Sequence, residues 1–529
     1  MTRKVLPCRL YALVLTLALL AAWPCPFSAA AEETPPKQEK AAQARPSVNA
    51  AADTAEEPLS FTRHTSTIEG KSVAYAAVAG RIAVRDDAGK VRARIFFTSY
   101  TREGEAEGMM RPVTFCFNGG PGAASVFLHM AAVGPKRVLF SGKGEPQPPP
   151  YRWAANPYTW LGFTDLVFVD PVGTGYSRPE AGIDAKEFFG VREDTRSMAQ
   201  FIGAYCTRFD RWPSPKFILG ESYGATRAAA LAGYLQSIMG LPLNGLILIS
   251  PALDFQTFTF AKGNDLPYVL YLPAYACAAW YHKKTALSPG TDLAHLRSEV
   301  ERFAYDEYWR ALMKGDTLTD EEIQRVAEAL SGFTGLSKEY VTHANLRIDR
   351  DVFLSELLRP ENLTVSVVDS RRTARYPVSR FLDDPGMFYL FGPLAAGWND
   401  YVRKELRYES TLSYEVLLER AAGSWDWGSA SQGYVDETPV LADAIKKNRA
   451  LRIFLANGYY DLDTSYFSTV YAVNHLGLDK DLRANATMAF YPSGHQIYTE
   501  PSSLEQLYRD VSGFVERTMN ERPSHEIDH

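Results

Sequence analysis

The pattern of apolar and polar positions changes character several times along the chain. An apolar run interrupted only by Thr16 covers residues 10–22, and a polar stretch over 32–58 follows, with no aromatic residue and Val48 its only branched aliphatic. Such a stretch cannot bury enough apolar surface to offset the entropy of ordering, so 32–58 reads as a disordered linker. Residues 73–78, 82–84 and 94–100 then alternate or run apolar, as antiparallel strands do. Four short apolar blocks come next, at 113–117, 165–169, 216–219 and 245–249, each ending in a turn rich in Gly, Pro or Ser. Helical patterns separate them, notably at 192–209 and 225–236. Continuous apolar strands alternating with helices predict a parallel sheet covered on both faces.

From residue 256 to 438 the period becomes helical. Leu293, Leu296, Val300, Phe303 and Leu312 fall on one face, and further helical segments are expected at 320–330 and 351–358. Strand-like runs resume at 451–456 and 486–490, and a last helix is expected over 503–519. The predicted order is an α/β core over 59–255, a mostly helical cap inserted over 256–438, the rest of the core over 439–521, and a frayed tail over 522–529. No internal repeat is evident.

Composition narrows the possible functions. The chain has 529 residues, 46% of them apolar and 22% charged, with a net charge of −6. No basic run or patch is visible, so nucleic acid is not an expected partner. Arg3, Lys4 and Arg9 precede the apolar run, and Ser28, Ala29, Ala30 and Ala31 follow it. That is the order of a secretory leader, with cleavage before Glu32. The protein is therefore expected to be exported, to a periplasm or the medium, with no membrane span once the leader is removed. Removal of Cys8 and Cys25 leaves Cys116, Cys206 and Cys277, an odd number without C-x-x-C spacing; no metal site or cofactor is expected.

The chemistry begins at Gly220-Glu221-Ser222-Tyr223-Gly224, which fits a nucleophile elbow. A strand-to-helix turn that sharp needs neighbours without bulk, and it lifts the hydroxyl into a cleft above a helix N-terminus, which favours developing negative charge. A serine at neutral pH needs a base, itself held by a third group. His495 follows the run 486–490, at the C-terminal end of a strand, which suits that base. The run 451–456 leads to two carboxylates, Asp461 and Asp463, and strand-end position alone does not separate them.

Together these segments resemble the serine carboxypeptidase family (S10 peptidases): FNGGPGAAS at 117–125, the stretch 156–178 ending DPVGTGYSR, GESYG at 220–224, GYYD at 458–461 and Gly494-His495. The resemblance implies an α/β-hydrolase fold and a triad of Ser222, Asp461 and His495, with the acid three residues after a glycine. It implies an oxyanion hole from the amides of Gly120 and Tyr223. It also implies that Asn118, the Gly119 amide and Glu221 hold the substrate's terminal carboxylate, Glu221 in its protonated form. The chain departs from better-known members in three ways. Ala132 stands where they carry a second carboxylate-binding Glu, Ala123-Ala124-Ser125 replaces their Cys-Ser-Ser, and their disulfide framework is absent. With Ala132 in that place, burial alone is expected to keep Glu221 protonated.

The function expected is a serine carboxypeptidase acting on peptides with a free C-terminus through an acyl-enzyme. An esterase or acyltransferase on the same machinery is the alternative. A catalytically dead binding protein would need the triad residues to serve no chemistry.

Overall fold

The computed structural model describes residues 56–104, 111–140, 145, 148–286, 292–375, 381–418, 421, 423–428 and 433–520. The leader expected over 1–31, most of the linker expected over 32–58, and the tail expected over 522–529 lie outside the described residues.

Three long strands open the sheet: Ser60–Ile68 (β1), Lys71–Arg85 (β2) and Val91–Arg102 (β3), paired antiparallel in chain order. β2 is one strand where the apolar pattern suggested two runs. Gly80, which interrupts the pattern, stays extended and pairs with Phe97 in the ladder.

Six further strands of this sheet are parallel to one another. They are Val113–Phe117 (β4), Asp165–Val169 (β5), Lys216–Glu221 (β6), Gly245–Ile249 (β7), Arg452–Gly458 (β8) and Ala486–Tyr491 (β9). Their order across the sheet is β1-β2-β3-β5-β4-β6-β7-β8-β9, with the short strand Arg178–Pro179 added beside β3. Every residue of β4 to β7 is buried, which is why these blocks read as continuous grease. Val191–Arg208 (α1) and Tyr223–Ile238 (α2) pack into one core layer, whose members include Phe201, Tyr205, Ala228 and Leu231. The helix Pro501–Asn520 covers the opposite face, where Phe514 meets Phe217 of β6 and Phe454 of β8.

The chain runs from β4 to β5 on one side, then crosses back to β6 on the other. That reversal opens a crevice between the loops leaving β4 and β6, the place where open α/β sheets bind ligands. Between β7 and β8 the described elements are mostly helical, including Leu266–Tyr281 (α3), Leu293–Phe303, Asp320–Thr334 and Pro385–Lys404. The apolar face predicted through Leu312 is carried across a wider turn at Ala304–Tyr308 before the helix resumes at Trp309–Lys314. Cys116, Cys206 and Cys277 are all buried free thiols. Among the described residues no helix is long and apolar enough to cross a membrane, and no cluster of three potential metal ligands is present.

Candidate active site

Ser222 sits between β6 and α2 with φ 60° and ψ −126°, a conformation that L-residues rarely adopt. The glycines on either side make the turn possible. A Cβ on Gly220 would fall 2.2 Å from the Gly224 carbonyl oxygen, and one on Gly224 would fall 2.5 Å from that of Phe117. Within that turn Ser222 remains partly exposed, while its neighbours Glu221 and Tyr223 are buried.

The loops after β8 and β9 bring the acid and the histidine together. Asp461 is fully buried, and its Oδ2 lies 2.8 Å from His495 Nδ1. Three further donors fix the Asp461 carboxylate. The Asp463 and Thr464 amides donate to Oδ1 at 2.8 and 2.9 Å, and the Thr464 hydroxyl donates to Oδ2 at 2.8 Å. Asp463, the other acid at this strand end, lies at the opposite edge of the ring, 3.9 Å from Nε2. Burial by itself lowers the His495 pKa. The charge and hydrogen bond of Asp461, with Asp463 and Glu221 behind it, outweigh burial and move the ring above its ordinary value. Among the described residues no hydrogen bond joins Ser222 to His495; such contacts commonly tighten only when substrate is bound.

A cavity of about 350 Å³ gathers these groups. Ser222, His495, Asp463, Glu221 and the Asn118-Gly119-Gly120 backbone line it, with Phe127, Phe381, Met387 and Leu417 as apolar wall. Among the described residues the N–H groups of Gly119, Gly120 and Tyr223 have no acceptor. Asp461 lies behind His495 and is not part of the lining.

Glu221 is 3% exposed. Asn118 Nδ2 donates to its Oε2 at 2.6 Å, and the Tyr498 hydroxyl reaches both carboxyl oxygens at 2.9 and 3.0 Å. Burial raises its pKa to about 7. The His495 charge and the Tyr498 and Asn118 hydrogen bonds pull it down, while the Asp461 charge pushes it up. The expectation that burial alone keeps Glu221 protonated is thus corrected: the Asp461 charge favours the protonated form as well, against the pull of His495 and the two donors. Tyr498 and Thr464 escaped the sequence reading, because one hydroxyl three residues after each key residue carries no spacing signal. Ala132 is fully buried in the turn Leu128–Val133, and its carbonyl accepts from Asn156 Nδ2 at 2.8 Å.

A family model described as serine carboxypeptidase matches residues 70–255, a stretch that includes the glycine loop and Ser222. Over 189 residues the chain is 28% identical to serine carboxypeptidase-like 36 of Arabidopsis thaliana, covering 34% of this chain and 36% of that protein. Over 135 residues it is 33% identical to the pheromone-processing carboxypeptidase KEX1 of Saccharomyces cerevisiae, covering 24% and 17%. Over these segments the chain is similar to the serine carboxypeptidase family. The matches span about a third of the plant relative's length and less than a fifth of the yeast enzyme's. The fold likeness reaches further. The crystal structure of the yeast prohormone-processing carboxypeptidase superposes with a TM-score of 0.55 at 18% identity, covering 84% of this chain and 91% of that one. The α/β-hydrolase fold therefore extends well beyond the segment that the sequence comparison aligns.

Proposed function

We propose that the protein is a serine carboxypeptidase that removes C-terminal residues from peptides. In this reading His495 takes the proton of Ser222 as the hydroxyl oxygen attacks the scissile carbonyl. The carbonyl π pair moves onto its oxygen, which is received by the Gly120 and Tyr223 amides. Collapse of the tetrahedral intermediate breaks the C–N bond, and the His495 proton goes to the departing amine. Water then repeats the sequence on the Ser222 ester, with His495 again taking and returning one proton. Asp461 accepts from Nδ1, keeps the ring in the useful tautomer and steadies the imidazolium. Thr464 and two backbone amides hold Asp461 in place.

The observation that carries the carboxypeptidase reading is Glu221. A buried carboxyl whose pKa is about 7, bridged to Asn118 and lining the same cavity as Ser222, can stay neutral and donate to a carboxylate. An esterase has no evident use for it. The leader-like first thirty residues place the enzyme outside the cytoplasm in this reading, in a periplasm or the medium. The test is kcat/KM on a blocked dipeptide as free acid, as its C-terminal amide and as a simple ester. Preference for the free acid at pH below 7 is expected. An equal or better rate on the ester at every pH would move the protein to the esterases. Absence of labelling by a fluorophosphonate would remove the serine nucleophile altogether.

A further inference from the structure

We propose that Arg227 is a positioning residue that aims the Gly119 amide at the substrate's carboxylate; this rests on the carboxypeptidase reading above. Arg227 lies on α2, five residues after the nucleophile, and its side chain is completely buried. Its Nε sits 2.7 Å from Oδ2 of Asp194, a buried residue of α1, and its Nη1 donates to the Asn118 carbonyl at 2.7 Å. The guanidinium also stacks over Phe117 and Tyr223, 5.6 and 5.2 Å from the ring centroids.

The carbonyl it grips belongs to the Asn118–Gly119 peptide. A trans peptide holds its C=O and N–H antiparallel, so anchoring the carbonyl on the α2 side turns the Gly119 N–H the other way. Arg227 does not line the cavity, whereas Asn118 and Gly119 do, and the Gly119 N–H has no acceptor among the described residues. A cation on the carbonyl also polarises the peptide and strengthens its N–H as a donor. The Asn118 side chain is fixed separately, accepting from the Leu128 amide at 3.0 Å and donating to Glu221. Gly119 cannot tilt freely either, since a Cβ there would meet the Tyr223 nitrogen at 2.6 Å and the Glu221 carbonyl oxygen at 2.7 Å.

Stability gives little reason to keep this pair. Buried ion pairs are often replaceable by apolar residues without loss, and Arg227 Nη2 is left without a partner among the described residues. What an apolar residue cannot replace is the grip on the Asn118 carbonyl. Lys carries its three donors on one nitrogen in place of a planar fork, so it should reproduce the grip on Asp194 and Asn118 only in part.

The experiment compares kcat/KM for a blocked dipeptide free acid with that for its amide, in wild type, Arg227→Met, Arg227→Lys and the double variant Asp194→Leu/Arg227→Met. The double variant removes both charges, so no lone carboxylate remains buried. Both substrates should slow in the Met variants, because Tyr223 packs on the same side chain. The acid should lose about tenfold to a hundredfold more than the amide, the scale of a hydrogen bond to a charged group. Most of that loss should appear in KM, and Lys should restore part of the acid preference. Equal losses on acid and amide would overturn the proposal and leave Arg227 a purely structural residue. If the Met variants do not fold, an Arg227→Lys enzyme with the wild-type acid-to-amide ratio overturns it as well. A wild-type enzyme without acid preference would instead refute the carboxypeptidase reading itself.

Discussion

Residues 117–227 and residues 457–499 each supply half of the candidate site, and they hold their reactive atoms in different ways. In the first half the backbone does the placing. Ser222 is set by a strained turn between two glycines, and the amides of Gly119, Gly120 and Tyr223, which have no acceptor among the described residues, sit where neighbouring chain segments touch. In the second half side chains share the placing: Asp461 is held by the Thr464 hydroxyl as well as by two amides of its own loop, and His495 is held by the Asp461 carboxylate. A contact between backbones tolerates one residue type at each point, so it writes a fixed motif into the sequence. A network of hydroxyls and carboxylates can be met by several residues at several spacings. The family match over 70–255 falls on the first half and ends before the second.

The comparison can be broken first at the chemistry that both halves share. Ser222→Ala should lower kcat by about 10⁴–10⁶ and abolish fluorophosphonate labelling while the far-ultraviolet circular dichroism is unchanged. Residual turnover above one-hundredth of wild type, after active-site titration, would take the nucleophile away from Ser222.

Asp461→Asn should cost roughly 10⁴ in kcat by favouring the wrong imidazole tautomer. Asp463→Asn, at the other edge of the ring, should stay within about tenfold, the scale of one modest interaction. A reversed ranking would show that the carboxylate beside Nε2 matters more than the one on Nδ1.

The backbone and side-chain halves are separated by two milder changes. Gly220→Ala forces a Cβ to within 2.2 Å of a carbonyl oxygen, so it should lower both activity and urea resistance, by on the order of 1–3 kcal/mol for overpacking. Thr464→Val keeps the volume and removes a donor to Asp461, so activity should fall about tenfold with little loss of stability. If both variants lost stability and activity together, the division between the halves would fail.

The smallest expected effect is a change in pH dependence. Glu221 must be protonated to donate to a carboxylate, so preference for the peptide acid over its amide should decline as pH rises through about 7. The Tyr498 hydrogen bond favours the ionised carboxyl. Tyr498→Phe should therefore raise the Glu221 pKa and carry the preference to higher pH. A profile unmoved by Tyr498→Phe would show that this hydroxyl does not tune Glu221.

This division also decides what the sequence revealed. Strands β4 to β7 were legible because every one of their residues is buried, and the elbow because only glycine fits two residues to either side of Ser222. His495 was singled out from its place after the last strand, and its ring lies against Asp461. The choice between Asp461 and Asp463 was not available from strand-end position, since both follow β8 within five residues of its end. It needed either a family resemblance or the three-dimensional network. Tyr498 and Arg227 were invisible for a related reason: each acts on a group from another strand or loop, and no local period records that. The unbroken β2 shows the opposite case, in which two apolar runs form one strand and Gly80 between them occupies a place in the ladder.

The conformation of Ser222 has a consequence for the lifetime of the protein as well as for its rate. A non-glycine residue held at φ 60° and ψ −126° stores strain of about 1–3 kcal/mol, supported by everything packed around it. Ser222→Gly would release that strain, and even after glycine's greater freedom in the unfolded chain is subtracted, a gain on the order of 1 kcal/mol remains. The silent glycine variant should thus outlast the competent serine in urea and on the shelf. Durability and turnover are set against each other at a single backbone torsion.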